Sequence, residues 1–357
     1  MGPVSGGGAS STRGHGTPLV SVVIPAFNLA WLIGDTILSV RHQTLDDIEI
    51  LVIDDGSTDD LAAVLAPHCA EDPRIRVIRQ DNRGLAGARN RGLAEARAGY
   101  VGFIDADDIG HPRFLEETAA ALDADPAAPF AFAYSFRFDL DNMVFGMPLW
   151  RRPPRHDFAG MLTLNVVGNG SAALFRADLV REAGGFDEAM RASGAWGAED
   201  WKLCLRLSAR GTPALIAKPY VGYRFVAEGM SQGDPARQMR AVRAVLRDIS
   251  TEFPGIRRRQ IADGQVTMNG WLLGAFLSKR KYGTAIRMLI QSYILNPFWF
   301  TNPSLRELHL MKLRVWYGNM TGTLPGRVPV ECLRQGGTAP FAFLSPPTRP
   351  RSRPQAR

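Results

Sequence analysis

The stretch Ile48-Glu49-Ile50-Leu51-Val52-Ile53-Asp54-Asp55-Gly56-Ser57-Thr58-Asp59 decides the fold. Six residues rich in β-branched side chains run into a turn of acids, glycine and hydroxyl residues, as a buried strand does when it opens into a loop at its carboxyl end. The same grammar recurs on both sides. Strands are expected at Val20–Pro25, Ile75–Arg79, Tyr100–Ile104 and Phe130–Tyr134. Between the first two strands Ile33, Ile37 and Val40 recur at helical spacing, and Ala86 to Ala98 is rich in good helix formers. Short apolar runs alternating with amphipathic stretches predict an α/β domain, with a largely parallel sheet fed by right-handed crossovers. Further along, a strand is expected over 171–175, a helix from Asp200 to Arg210 and a strand over Gly222–Val226. Arg151-Arg152-Pro153-Pro154-Arg155 reads as a loop between two halves of the domain. Beyond Ser231 the spacing turns helical, around Gln238–Phe253, Gln260–Leu277 and Thr284–Leu295.

Composition narrows the function classes. The chain has 357 residues and 45% hydrophobic content, enough for a full core. Cys69, Cys204 and Cys332 are scattered and odd in number, so neither a disulfide framework nor a zinc knuckle is expected and a reducing, cytoplasmic setting fits. The formal charge of +7 resembles that of a nucleic-acid binder until it is located. Residues 301–357 hold nine Lys/Arg against two Asp/Glu, which accounts for all of it, so no nucleic-acid partner is expected. No apolar run reaches the roughly 18 residues of a spanning helix. The expected organisation is a disordered arm over 1–18, a catalytic domain over 19–232, a helical region over 233–325 and a basic, Pro/Arg-rich solvated tail over 326–357.

Two carboxylate clusters carry the chemistry. In open α/β sheets ligands bind beyond the carboxyl ends of strands. Asp55 stands at such an end, where its acceptor-only carboxylate can take the ring N–H of a nucleobase. A plain turn with Ser57 or Thr58 capping the next helix explains the segment equally well. The second cluster is Asp105-Ala106-Asp107-Asp108, at the end of another strand. Three carboxylates in four residues repel one another unless a cation lies among them, and a hard cation such as Mg²⁺ or Mn²⁺ takes oxygen ligands. A charged turn preceding a helix is the alternative. No GxxxxGK[ST] loop and no GxGxxG turn after a strand is present, which sets aside NTPase and dinucleotide-binding readings.

The order of segments says more than any one of them. Val20-Ser21-Val22-Val23-Ile24-Pro25-Ala26-Phe27-Asn28, Asp54 to Asp59, Asn82-Arg83-Gly84-Leu85-Ala86-Gly87-Ala88-Arg89-Asn90 and Asp105 to Asp108 together resemble the amino half of family 2 glycosyltransferases, inverting enzymes of the GT-A fold. Gly184-Gly185-Phe186-Asp187 and Glu199-Asp200-Trp201 resemble that family's acceptor-side segments, so the resemblance spans about Leu19 to Ser231. It implies a nucleotide-sugar donor, foremost a uridine diphosphate sugar, and a glycan or lipid-linked acceptor, as in polysaccharide or surface-antigen assembly. Pro25, Ala26 and Phe27 would line the base and ribose, and Asp55 would read the base edge. Asn82, Gly84, Gly87 and Arg89 would close over the nucleotide. Asp105 and Asp107 correspond to the family's DxD motif, with Asp107 or Asp108 as ligand to Mn²⁺ or Mg²⁺. Asp200 stands where the family carries its general base, at a helix start whose dipole favours the ionised form. Glu199 and Trp201 would face the acceptor, Trp201 as a sugar platform or else as a core residue. Where many relatives have a His after a Tyr-Arg pair, this chain reads Tyr223-Arg224-Phe225-Val226.

Two other functions remain in view: a catalytically silent nucleotide- or glycan-binding relative, and a sugar nucleotidyltransferase. Finally, Trp271 to Phe300 mixes large apolar residues with Lys279, Arg280 and Lys281. Packing against the catalytic domain is the plainer expectation, and peripheral contact with a membrane is the other.

Overall fold

The computed structural model describes residues 16–146, 155–226, 234–301, 303–321, 328–330, 341 and 344. Residues 1–15 of the expected arm, the 151–154 part of the expected loop and the Pro/Arg-rich run after residue 344 lie outside the described residues.

The amino half alternates β1 (Val20–Ala26), α1 (Ile33–Arg41), β2 (Ile48–Asp54), α2 (Leu61–Glu71), β3 (Ile75–Arg79), α3 (Gly84–Glu95) and β4 (Tyr100–Phe103). β4, β1, β2 and β3 lie side by side and parallel. All seven residues of β1 and of β2 are buried, as expected for parallel strands covered on both faces. Tight helix-to-sheet packing depends on one small residue in α3. A Cβ built on Gly92 would lie 2.2 Å from Val23 Cγ1 in the core of β1.

After β4 come β5 (Ile109–Gly110), α4 (Phe114–Ala124), β6 (Phe130–Phe138), β7 (Met143–Gly146), α5 (Phe158–Thr163), β8 (Ala173–Arg176), α6 (Ala177–Glu182), α7 (Ala189–Ala192), α8 (Glu199–Ser208) and β9 (Ala214–Arg224). β8 pairs antiparallel with both β4 and β6 and so joins the parallel half to a mixed one. β9 runs parallel to β6 and antiparallel to β5. It starts eight residues earlier than the sequence suggests, because Lys218 and Pro219 interrupt the apolar pattern where the register shifts against β6.

The helical region is not a separate body. α9 (Pro235–Glu252) places Ala241, Val242, Val245, Leu246 and Ile249 in the same core as β1 and β4. Its Asp248 also accepts from Lys202 Nζ at 2.7 Å, and that buried ammonium reaches Asp187 at 2.6 Å. α10 (Arg258–Ser278), α11 (Tyr282–Leu295) and α12 (Pro303–Thr321) follow. The core thus continues past residue 233 into α9, while Leu272, Leu273, Phe276, Leu277, Ala285 and Met288 of α10 and α11 form a second cluster.

Two other expectations change. β10 (Val328–Pro329) pairs with β7, and the buried Val330, Phe341 and Leu344 cluster with Ile109, Phe136, Phe138 and Val144. These residues of the expected solvated tail instead cover the β6–β7 face, because a few large apolar side chains there gain more from burial than composition alone suggests. In α11 only Ala285, Met288 and Ser292 are buried, while Tyr282, Ile286, Ile290, Tyr293 and Ile294 are exposed, so packing against the domain accounts for one face only.

Replacing Gly92 by alanine is expected to destabilise the chain by about 1–3 kcal/mol through overpacking against Val23. Urea denaturation of the two proteins measures it, as a lower midpoint at unchanged slope.

Candidate active site

Because β4, β1 and β2 are parallel neighbours, their carboxyl ends bring three loops to one edge. β1 ends in Pro25-Ala26 and delivers Phe27, whose ring is 43% exposed. Asn28 follows in the left-handed region at φ 54°, a conformation that asparagine tolerates. Its amide donates to Ser57 Oγ (3.1 Å), and its Oδ1 accepts from Thr58 N (2.8 Å), which ties the first loop to the second.

Asp55 is buried and already engaged. Oδ1 accepts from Gln80 Nε2 (2.7 Å) and Arg83 N (2.8 Å), and Oδ2 accepts from Gly84 N (2.8 Å). A carboxylate has about four acceptor positions, so one remains for a base edge. The loop it holds is clasped from the other side as well. Arg191 donates to Asn82 Oδ1 (2.8 Å) and Arg83 to Glu188 Oε2 (2.9 Å). Gly84 turns at φ 78°, and a Cβ there would lie 2.8 Å from the Arg191 guanidinium. At Gly87 a Cβ would meet Arg83 Cβ at 2.5 Å.

The three acids after β4 have different environments. Asp108 is fully buried, and its carboxylate accepts from Ser171 Oγ (2.6 Å), Asn169 Nδ2 (3.1 Å) and Arg224 N (3.1 Å). It acts as an internal strut for the loop. Asp105 accepts from Arg89 Nη2 at 2.6 Å. Asp107 is half-buried, and among the described residues no other residue hydrogen-bonds its carboxylate. Burial, then the charge of Asp105, pushes the Asp107 carboxyl up to about 7 against the pull of Arg224. An acid held that high, with no partner, favours a cation beside it. Asp107 with the free oxygen of Asp105 gives too few protein ligands for a closed cage, and among the described residues no cluster of three His, Cys, Asp or Glu is arranged around a cation position. The donor set fits Mg²⁺ or Mn²⁺ sharing its coordination with diphosphate oxygens.

Two arginines compensate this acidity. Arg224 lies beneath the loop, donating from Nε to Asp107 O (3.0 Å) and from Nη2 to Asp35 (2.6 Å). The sequence shows the Tyr-Arg pair but not Asp35, because the two partners lie 189 residues apart. Arg89, buried in α3, packs over the Phe186 ring at 5.1 Å. Burial alone would lower its pKa, yet the charges of Asp105 and Asp200 hold it above the usual arginine value. It thus links the acidic cluster to the acceptor-side segment.

In that segment α8 starts at Glu199, so Asp200 stands in its first turn. Burial, opposed by Arg89, raises the Asp200 carboxyl to about 6. Desolvation therefore outweighs the helix dipole that the sequence brings to mind. Glu199 turns back to accept from Gly197 N (2.9 Å from both oxygens). Trp201 is 2% exposed and donates from Nε1 to Met161 O (2.9 Å). It is a core side chain, which corrects the sugar-platform expectation. The half-buried Trp196, under Arg237 at 4.9 Å, is an aromatic of the same segment that sequence reasoning passed over, since nothing in its spacing separates it from Trp201.

The curled mixed α/β sheet matches glycosyltransferases of the GT-A fold. Staphylococcus aureus TarS 1–349 superimposes with a TM-score of 0.55 at 17% identity, over 85% of this chain and 92% of that one. Mannosyltransferase PcManGT from Pyrobaculum calidifontis, solved with GDP-Man and Mn²⁺, gives 0.52 at 17% identity, over 86% and 87%. In sequence, residues 21–184 match the model of glycosyl transferase family 2. The chain is 45% identical over 91 residues to the uncharacterized glycosyltransferase EpsJ of Bacillus subtilis, covering 26% of each protein. It is 42% identical over 99 residues to a chondroitin synthase of Escherichia coli, covering 28% of this chain and 14% of that protein. The match thus spans about a quarter or less of these relatives' own length.

If Asp55 holds the 80–84 loop as described, Asp55→Asn replaces an acceptor with a donor facing N–H groups. Hydrogen–deuterium exchange is expected to show faster exchange of the Arg83 and Gly84 amides, with the amides of β1 unchanged.

Proposed function

We propose that this chain transfers a sugar from a nucleoside-diphosphate sugar to a hydroxyl group of a glycan or lipid-linked acceptor, with inversion at the anomeric carbon. The observation that carries this reading is the buried Arg89, which bonds Asp105 of the acidic loop and whose charge acts on Asp200, with the unpartnered Asp107 two residues from Asp105. Asp200, ionised at neutral pH, takes the proton of the acceptor hydroxyl. The acceptor oxygen bonds to the anomeric carbon as the bond to the diphosphate breaks, and the nucleoside diphosphate leaves. A divalent cation at Asp107 and Asp105 would neutralise the leaving diphosphate. Phe27, with Pro25 and Ala26, is the packing surface for the base, and Asp55 offers its remaining acceptor position to the base edge.

Uridine is the nucleotide we favour, supported by the fold shared with TarS, which has been crystallised with UDP and with UDP-GlcNAc. Guanosine is the alternative suggested by the GDP-Man complex of the mannosyltransferase. Synthesis of a polysaccharide is the process we favour, supported by the local identity to chondroitin synthase.

Among the described residues no helix is long and apolar enough to cross a membrane. The exposed stripe of α11 supports a contact of another kind. Tyr282, Ile286, Ile290, Tyr293 and Ile294 share one side of the helix, and Phe298 and Phe300 extend it. Residues 264–321 hold seven Lys/Arg against one Asp/Glu. An apolar stripe bordered by exposed Lys279, Arg280, Lys281 and Arg287 suits an anionic lipid surface.

Calorimetric titration with UDP and GDP, each with and without Mn²⁺, tests the donor site. Metal-dependent binding of one nucleotide, lost in Asp107→Asn, is expected, and absence of binding by both would point to a silent relative. With a donor in hand, the rate is expected to fall as pH drops through about 6, because protonated Asp200 accepts no proton. Asp200→Asn should be about 10³-fold slower while binding the nucleotide normally. In flotation with phosphatidylglycerol vesicles the full chain should rise with the lipid, and the Ile290→Asp, Ile294→Asp double variant should remain at the bottom.

A further inference from the structure

Arg137, Trp271 and Lys312 form a cluster that the donor chemistry does not use. The Arg137 guanidinium lies 4.9 Å from the Trp271 ring centroid and the Lys312 ammonium 4.4 Å from the same ring. The three side chains come from β6, α10 and α12, so distant parts of the chain converge on one point. The approach of α12 to α10 is built for it. A Cβ on Gly270 would lie 2.5 Å from the His309 ring, so bare backbone there lets α12 approach α10 closely, and the Lys312 stem lies against Gly274.

Two cations over one indole repel each other, and each cation–π contact offsets this by only about 0.5–2 kcal/mol. Burial lowers the pKa of Arg137, and burial together with Arg137 brings Lys312 down to about 8. Among the described residues neither side chain is in an ion pair with a carboxylate; both lie over Trp271, and Arg137 also feels the Tyr223 phenol. A pair of partly desolvated cations with unspent N–H donors is a site lacking its anion.

Its position says which anion. Ser135 and Arg137 are two residues apart and share one face of β6. Ser135 Oγ hydrogen-bonds Asn169 Oδ1 (3.3 Å), and Asn169 reaches Asp108 (3.1 Å). Across the sheet, β2 and β1 carry the base-side residues, β4 the acidic cluster, and β8 then β6 lie beyond it. Along the sheet the cluster is thus on the far side of the acids from Phe27 and Asp55. We infer that Arg137, Trp271 and Lys312 bind a phosphate group carried by the acceptor, with the two cations matching its charge of roughly −1.5 to −2 and the indole lying beside its organic part. This rests on the transferase reading and names the acceptor's chemistry within it.

The test is calorimetry on the full chain in EDTA, where the uncompensated acids around Asp107 repel a free phosphate. Two probes separate the sources of the phosphate: glycerol 3-phosphate for a polymer-borne group and geranyl phosphate for a lipid-borne one. At least one probe is expected to bind, with affinity falling at least fivefold in Lys312→Met and in Arg137→Gln. Tighter binding of geranyl phosphate, still lost in Lys312→Met, assigns a lipid-borne phosphate, and equal binding assigns a polymer. Absence of heat at millimolar probe, or unchanged affinity in both cation variants, overturns the inference. Urea midpoints of Lys312→Met and Arg137→Gln close to that of the wild type show that the two variants are folded. If the wild type binds glycerol 3-phosphate but no nucleotide, the transferase reading fails while the anion site stands.

Discussion

The constraint on which the site depends is electrostatic: three carboxylates within four residues at the end of a central strand. Asp105, Asp107 and Asp108 cannot all be ionised side by side in a desolvated loop without positive charge around them. The fold supplies it unevenly. Arg89 takes Asp105, while the amide of Arg224 and two polar side chains take Asp108. Asp107 is left with only the field of Arg224, whose guanidinium is itself drawn away to Asp35. The compensation is complete for the acids that shape the loop and incomplete for the one that faces outward. That imbalance separates the residues that hold the site from the residue that would hold a cation.

Arg89 also explains how the two halves of the domain communicate. It comes from α3, in the parallel half, and its charge acts on Asp200 in α8, after the sheet has become mixed. Asn90, its neighbour, bonds the backbone of Phe186 and the carboxylate of Glu188, and Lys202 carries the linkage from Asp187 to Asp248 in α9. A proton acceptor that must sit at a fixed distance from a donor site needs this kind of cross-bracing, since an error of about 1 Å in placement can cost 10²-fold in rate.

The parallel half was legible in the sequence because β1, β2 and β4 are short, fully buried runs with an unmistakable loop after each, and β1, β2 and β3 fall within one residue of expectation. The mixed half was less so. β6 runs on to Phe138 because alternate side chains, Ser135 and Arg137, are polar on the site-facing side, which reads as the end of an apolar run. For the site, residue types at strand ends pointed to the right loops but not to the division of labour within them. Whether Asp107 or Asp108 is available depends on Ser171 and Asn169, more than sixty residues away, and Trp201 rather than Trp196 drew attention because burial is invisible at that spacing.

The helical region follows the same logic of long-range partners. By composition it was an appendage with a basic tail, yet α9 completes the core, and α10 and α12 bring Trp271 and Lys312 to the end of β6. Arg137 and Lys312, far apart in the sequence, thereby meet over one ring. Ser135, on the same strand as Arg137, and Asn169 form the hydrogen-bonded link from β6 to Asp108. The fold thus joins the acidic loop and the cation pair through neutral hydrogen-bonding side chains rather than pairing them with each other.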